Sequence, residues 1–109
     1  MLDKELITEV VSGLREIFKE NIYEIILYGS VARGEATDES DIDIALILNS
    51  DLTERDKKLF LEWNANLDLK FDKVFSIVDV TKDKIEKWGK IVPFYMNIQK
   101  EGMVLWKAA

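Results

Sequence analysis

The sequence contains no cysteine and no histidine. These two absences remove thiol nucleophiles, imidazole bases, disulfides and the usual zinc sites, so any chemistry must rest on carboxylates, Ser, Lys, Arg and Tyr. No apolar run approaches the roughly 20 residues of a membrane span. The N-terminus lacks the basic and apolar regions of a signal peptide. A cytoplasmic location with no membrane partner is therefore expected. Positive charge is also in deficit: 15 Lys plus Arg against 21 Asp plus Glu give a formal net charge of -6. That balance leaves no general field for drawing in nucleic acid or anionic lipid, so direct nucleic acid binding is not expected and a phosphate ligand needs local help. What is present, 48% hydrophobic and 33% charged residues in 109 positions, suits one globular domain over residues 1–109 with a single core.

Apolar residues alternate between helical and strand periods along the chain. Leu2, Leu6, Val10, Val11, Leu14, Ile17 and Phe18 recur at helical spacing, which predicts an amphipathic helix over residues 3–20, ended at Asn21. Tyr23 to Tyr28, rich in β-branched and aromatic residues, reads as a strand that stops at Gly29, and Asp41 to Leu48 reads as a second. Asn49, Ser50 and Asp51 are turn formers, followed by a helix from about Thr53 to Asn66 that buries Leu59, Phe60 and Trp63. Leu69 to Val80 is expected as the third and longest strand. Thr81 or Asp83 then caps a short helix carrying Ile85 and Trp88, Pro93 starts another that ends at Gly102, and Met103 to Trp106 adds an edge strand. The resulting class is α+β, a small mixed sheet flanked by helices. Trp63, Trp88 and Trp106 fall where packing is expected rather than base stacking, and Tyr95 belongs either to the core or to a partner surface.

One stretch stands apart, "ILYGSVARGEATDESDIDIALIL", Ile26 to Leu48. Residues i and i+2 share a strand face, so Asp41 and Asp43 project together while Ile42 and Ile44 point to the opposite, buried side. Two like charges side by side are destabilising unless solvent screens them or something positive lies between. Ala45 and Ile47 continue the same face, which therefore turns from acidic to apolar and places the carboxylates at a rim of the sheet. Hard oxygen donors at a rim suit Mg²⁺ or Mn²⁺. Upstream, Gly29 lacks a Cβ and permits close approach of a ligand, and Ser30 opens a short helix or turn whose N–H groups and hydroxyl face an anion. Arg33, three residues on, lies on the same side if that turn is helical, and Gly34 lets the chain reverse. Separately these features read as a turn, a solvated strand face and a surface charge. Their joint spacing, with ten residues between Ser30 and Asp41, is what carries information. A calcium-loop reading of "DESDID" fails, because Ile42 and Ile44 continue a strand and no glycine occupies the sharp turn.

The run "GSVARGEATDESDIDIALIL" resembles the signature of the polymerase-beta-type nucleotidyltransferase superfamily, and more closely that of the minimal nucleotidyltransferases. Gly29, Ser30, Ala32, Arg33, Gly34, Ser40, Asp41 and Asp43 match that fuller form, which spans about a fifth of the chain. The resemblance implies the nucleotidyltransferase fold. It also implies Asp41 and Asp43 as catalytic ligands of two Mg²⁺ ions, with Mn²⁺ as an alternative. Gly29, Ser30, Arg33 and Ser40 would contact a nucleoside triphosphate, ATP as donor. An in-line displacement at the α-phosphorus would then transfer a nucleotide and release pyrophosphate.

Members of the family add a third carboxylate from a neighbouring strand. The candidates are Asp68 and Asp72 in "LDLKFDKVFSIV". On the expected strand they share parity but stand roughly 13 Å apart, so only one reaches the metals. Asp72 is preferred as the third catalytic and metal-binding residue because apolar residues flank it, with Lys73 a departure from the usual pattern; Asp68 suits a surface or capping role. Larger relatives carry a substrate-holding domain, for which 109 residues leave no space. The resemblance thus implies an acceptor from outside: a small helical HEPN-type toxin that the chain, as antitoxin, neutralises by adding AMP to a tyrosine. Two rivals stand beside this reading. One is an aminoglycoside-type small-molecule transferase working as a homodimer, and the other is an inactive antitoxin that acts by contact alone.

Overall fold

A computed structural model describes residues 4–37 and 40–109. The elements run α1 (Lys4–Phe18), a 3₁₀ turn (Lys19–Asn21), β1 (Ile22–Tyr28), α2 (Gly29–Ala32), β2 (Ile42–Leu48), α3 (Glu54–Phe71), β3 (Phe75–Thr81), α4 (Lys82–Trp88), α5 (Pro93–Glu101) and β4 (Met103–Lys107). The predicted start of the first helix at residue 3, and Leu2 of its apolar stripe, lie outside the described residues, as do positions 38 and 39 of the polar loop.

The four strands form one mixed sheet in the order β3-β2-β1-β4. β1 is antiparallel to both β2 and β4, while β2 and β3 are parallel, joined by the crossover helix α3. Helices cover both faces. On one side Leu6, Val10, Leu14 and Phe18 of α1 and Leu67 of α3 pack on Ile25, Leu27, Ile42, Ile44, Leu46 and Phe75. On the other, Ile98 of α5 meets Ile26, Ala45, Ile47 and Val80, with Tyr23, Tyr28, Ile85 and Tyr95 closing around them. Each fully buried aliphatic side chain contributes about 1.5–3 kcal/mol relative to an exposed one, so the two apolar layers fix which way β2 faces. Ile42 and Ile44 are 2% and 1% exposed, and Asp43 is thereby committed to the opposite side.

Most predicted elements are present, including the short helix opened by Pro93 and the edge strand after Gly102. Thr53 caps α3 through its side chain, which accepts from Asp56 N at 3.1 Å. Three expectations change. The third strand does not begin at Leu69: α3 continues to Phe71, Asp72 ends it with φ 51, and the strand starts only at Phe75. Leu59 is 41% exposed rather than buried, and Leu67 takes its place in the core. Trp88 is likewise 41% exposed, whereas Trp63 and Trp106 pack against the α1/α3 layer.

Candidate active site

Three strands and the short helix α2 bring the site together. In the sheet register Tyr28 of β1 stands opposite Asp43 of β2, and Asp43 opposite Ser76 of β3. The three side chains form a row across one face. Asp41, two residues before Asp43, lies just ahead of the strand, and its Oδ2 accepts from the Ser76 hydroxyl at 3.3 Å. Asp41 is exposed and Asp43 half-buried. The aspartates thus stand at the end of the α4/α5 face, beyond the apolar patch of Ala45 and Ile47, as the alternation predicts.

α2 follows β1 directly. Gly29 has φ +76, and a Cβ there would run into the Asp43 carboxylate. Left-handed φ and close approach together require glycine at this position. No side chain caps α2, so its first backbone N–H groups, including that of Ser30, lack intrahelical partners and suit an anion. The turn closes through Arg33 N to Gly29 O at 3.1 Å and Glu35 N to Ser30 O at 2.9 Å, with Gly34 at φ +74 reversing the chain.

Arg33 is engaged. Its Nη1 donates to Glu101 Oε2 at 3.2 Å and its Nε to Glu35 Oε2 at 3.4 Å. These bonds, that to Glu101 foremost, hold the guanidinium more firmly protonated. Ser40 also has partners: its hydroxyl accepts from Thr37 N at 2.9 Å and its own amide donates to Thr37 O at 3.0 Å. These bonds tie Ser40, the residue before Asp41, to Thr37.

Asp72 is not brought to the pair. It lies exposed in the left-handed position that ends α3, outside β3, so the shared parity expected for it does not arise. Asp68 is the last-turn acceptor: its Oδ1 receives Phe75 N at 2.9 Å and its backbone oxygen receives Lys73 N at 3.2 Å, the capping role expected of it. No group of three or more acidic residues suited to a metal occurs among the described residues. Reading the sequence missed Tyr28, Ser76 and Glu101. The signal for Tyr28 was its place directly before Gly29, and that for Ser76 was hidden by the misplaced start of β3.

The electrostatics bear on a metal. Burial, and secondly the charge of Asp41, raise the Asp43 carboxyl above its ordinary value of 3.8, with Arg33 partly opposing them. Burial and the charge of Asp43 raise the Tyr28 phenol in turn, so it stays a neutral O–H at physiological pH. Two neighbouring carboxylates, the nearby cation already bonded to other acids, and only oxygen donors make a set that fits a hard divalent ion sharing water and phosphate ligands.

This shift has a sign that can be measured. A carboxyl raised in the folded state binds its proton more tightly than in the unfolded chain. Its stabilising contribution is therefore present in acid and is lost as pH rises from 3.8 through the folded value. Asp43→Asn removes the loss. In chelator, urea unfolding should show the variant gaining on the parent as pH rises from the acid side of 3.8 towards neutrality, with Mg²⁺ narrowing the gap. A pH-independent difference contradicts this account.

Comparison with known proteins agrees with the geometry. Residues 7–103 match the family described as Nucleotidyltransferase domain. The chain belongs to that family, and it is a nucleotidyltransferase. It is 31% identical over 109 residues to "Putative protein adenylyltransferase MJ0604" of Methanocaldococcus jannaschii, spanning 97% of this chain and 100% of that protein. It is 28% identical over 92 residues to "Putative protein adenylyltransferase MJ0141" of the same organism, spanning 78% and 93%. Among solved structures, one described as a toxin-antitoxin with AMP-PNP has a TM-score of 0.66 at 21% identity, covering 94% of this chain and 73% of that one. Another, a tri-AMPylated Shewanella oneidensis HEPN toxin in complex with MNT antitoxin, has a TM-score of 0.63 at 18% identity, covering 98% and 74%. At those identities the likeness is one of fold. No helix among the described residues is long and apolar enough to cross a membrane.

Proposed function

We propose that the chain is a metal-dependent protein adenylyltransferase. It takes AMP from ATP and joins it to a hydroxyl, a tyrosine foremost, of a small helical HEPN-type toxin, for which it is the antitoxin. The observation that carries this reading is the pair of Asp43 on β2 and Asp41 just ahead of it, both beside Ser76, with Gly29 packed so closely on Asp43 that no side chain fits between. Mg²⁺, or Mn²⁺ in its place, would supply Lewis acidity at the α-phosphate and a lowered pKa for the attacking hydroxyl when bound by these carboxylates.

The remaining roles belong to the chain's own groups. Gly29 admits the triphosphate to the backbone, and the Ser30 hydroxyl and the α2 amides donate to its oxygens. Arg33 exchanges its bonds to Glu101 and Glu35 for bonds to the outer phosphates, one set of charge-assisted contacts for another. Ser40 is bonded to Thr37 and directly precedes Asp41, and a contact of its hydroxyl with nucleotide would exchange its bond from Thr37 N. The open rim beside Asp41 leaves the acceptor to arrive on another molecule, and a basic partner surface would complement a chain of net charge -6. Relatives named as protein adenylyltransferases and toxin-antitoxin neighbours in fold support this reading.

A second reading is favoured by two observations. Arg33 is ion-paired and no third carboxylate joins the pair among the described residues, which suits an antitoxin acting by contact alone. Intact-mass measurement of the chain mixed with the HEPN-type partner, ATP and Mg²⁺ separates the two. AMP-sized additions on the partner, lost with Asp43→Asn, are expected. Tight binding and inhibition without added mass would replace the enzyme with the contact-only antitoxin. Transfer to small hydroxyl compounds without any partner would point to the homodimeric small-molecule enzyme.

A further inference from the structure

The register position beside Asp43 on β3 is held by a hydroxyl. Ser76 shares the face of the acidic pair, because directly paired residues of neighbouring strands point the same way. Its Oγ stands 3.3 Å from Asp41 Oδ2. Asp41 precedes the strand and is exposed, so strand pairing does not fix its carboxylate as it does Asp43's backbone. A third carboxylate at position 76 would add a further negative charge to the pair. A hydroxyl instead donates to one carboxylate oxygen and leaves the other oxygen, and the full charge, available to a cation. The hydroxyl–carboxylate distance is long for a tight bond, which leaves the carboxylate room to close on an ion.

We propose that Ser76 is a positioning residue for the metal centre: its hydroxyl orients the Asp41 carboxylate from the outside, so that two aspartates and a serine take the place of three acids. The proposal rests on the reading that Asp41 and Asp43 hold a divalent ion. It explains why the site lacks Asp72 without abandoning the chemistry: water and substrate phosphates complete the coordination that a third carboxylate would otherwise supply, as divalent ions of this kind tolerate.

Binding of Mn²⁺ to the nucleotide-free chain tests it, measured by calorimetry and by the Mn²⁺-induced rise in thermal midpoint. Loss of an outer partner to a metal ligand typically weakens affinity about 10–100-fold, and this solvent-facing contact belongs at the lower limit, so Ser76→Ala should bind Mn²⁺ about tenfold more weakly. Ser76→Thr, which keeps the hydroxyl on a β-branched side chain suited to a strand, should bind like the parent. Ser76→Asp should be less stable than the parent in chelator and gain more from Mn²⁺, since the added charge repels the pair until an ion joins it. Equal Mn²⁺ affinity of the parent and Ser76→Ala overturns the role of Ser76 and leaves the metal reading standing. A parent without any Mn²⁺ response overturns both. Should Ser76→Ala not fold, the Thr and Asp variants decide: parent-like binding by the first with a larger Mn²⁺ gain by the second supports the proposal, and the absence of that gain overturns it.

Discussion

Asp43→Asn should reduce nucleotide transfer by at least about 10³-fold, because it removes a ligand from the ion itself, and losing even an outer partner already costs about 10–100-fold. The substitution keeps the shape of the side chain and so leaves the fit against Gly29 intact. Asp41→Asn should be the milder of the two. Asp43 is half-buried between Tyr28 and Ser76 in the middle of three strands, whereas Asp41 is exposed ahead of the strand, where water can substitute in part. The unfolding midpoint in chelator must not fall in either variant. Pyrophosphate release measured beside chelator-phase unfolding decides the matter: an inactive variant that is also unfolded speaks for a structural role of the acids, and a fully active Asp43→Asn removes them from the chemistry.

Gly29→Ala should be the next most damaging change, and it carries its own control. An alanine held at left-handed φ costs about 1–2 kcal/mol, which in a domain of this size lowers the midpoint by about 4–8 °C per kcal/mol. Gly34→Ala carries the same backbone strain, with φ +74, but its Cβ would meet no atom of the described residues within 4 Å. The two variants should therefore lose similar stability from strain, with Gly29→Ala losing more because its Cβ displaces the Asp43 carboxylate. Their activities should diverge. A misplacement near 1 Å at reacting groups is worth about 10²-fold, so Gly29→Ala should fall by that order while Gly34→Ala stays close to the parent. Equal activity of the two would mean that the contact between Gly29 and Asp43 has no bearing on catalysis.

The acidic pair was legible in the sequence because two independent signals agreed. The alternation of Asp41, Ile42, Asp43 and Ile44 set the face, and the apolar run that follows set the burial. The start of β3 was not legible for a related reason. Leu67, Leu69 and Phe71 alternate with Asp68, Lys70 and Asp72, which is a strand pattern. The same residues also extend a helical stripe, Phe60, Trp63, Leu67 and Phe71, at spacings of three and four. Local pattern could not choose between the two periods. Packing against α1 does, and it leaves Leu69 81% exposed on the outer side of α3. The stop at Asp72 carries no glycine to announce it, since an aspartate takes the left-handed position, a conformation that Asp tolerates better than most residues. Arg33 lies close enough to Asp43 to act on its charge, but its partner Glu101 lies 68 residues away in sequence and no local pattern joins them.

The place of β2 inside the sheet has a consequence for how such a site loses and gains function. Strand β2 is paired on both sides, with β1 from Asp43 to Leu48 and with β3 from Ile42 to Leu48. Backbone amides in a doubly paired central strand exchange with solvent only through the largest openings of the molecule, while edge strands and helix ends open far more readily. Asp43 rides on this central strand, where exchange is expected to be slowest, and Arg33 and Glu101 on helix ends, where it is expected to be faster. Change in what the enzyme accepts is accordingly easiest in the periphery, where a segment can be remodelled without disturbing the strand that carries the acids.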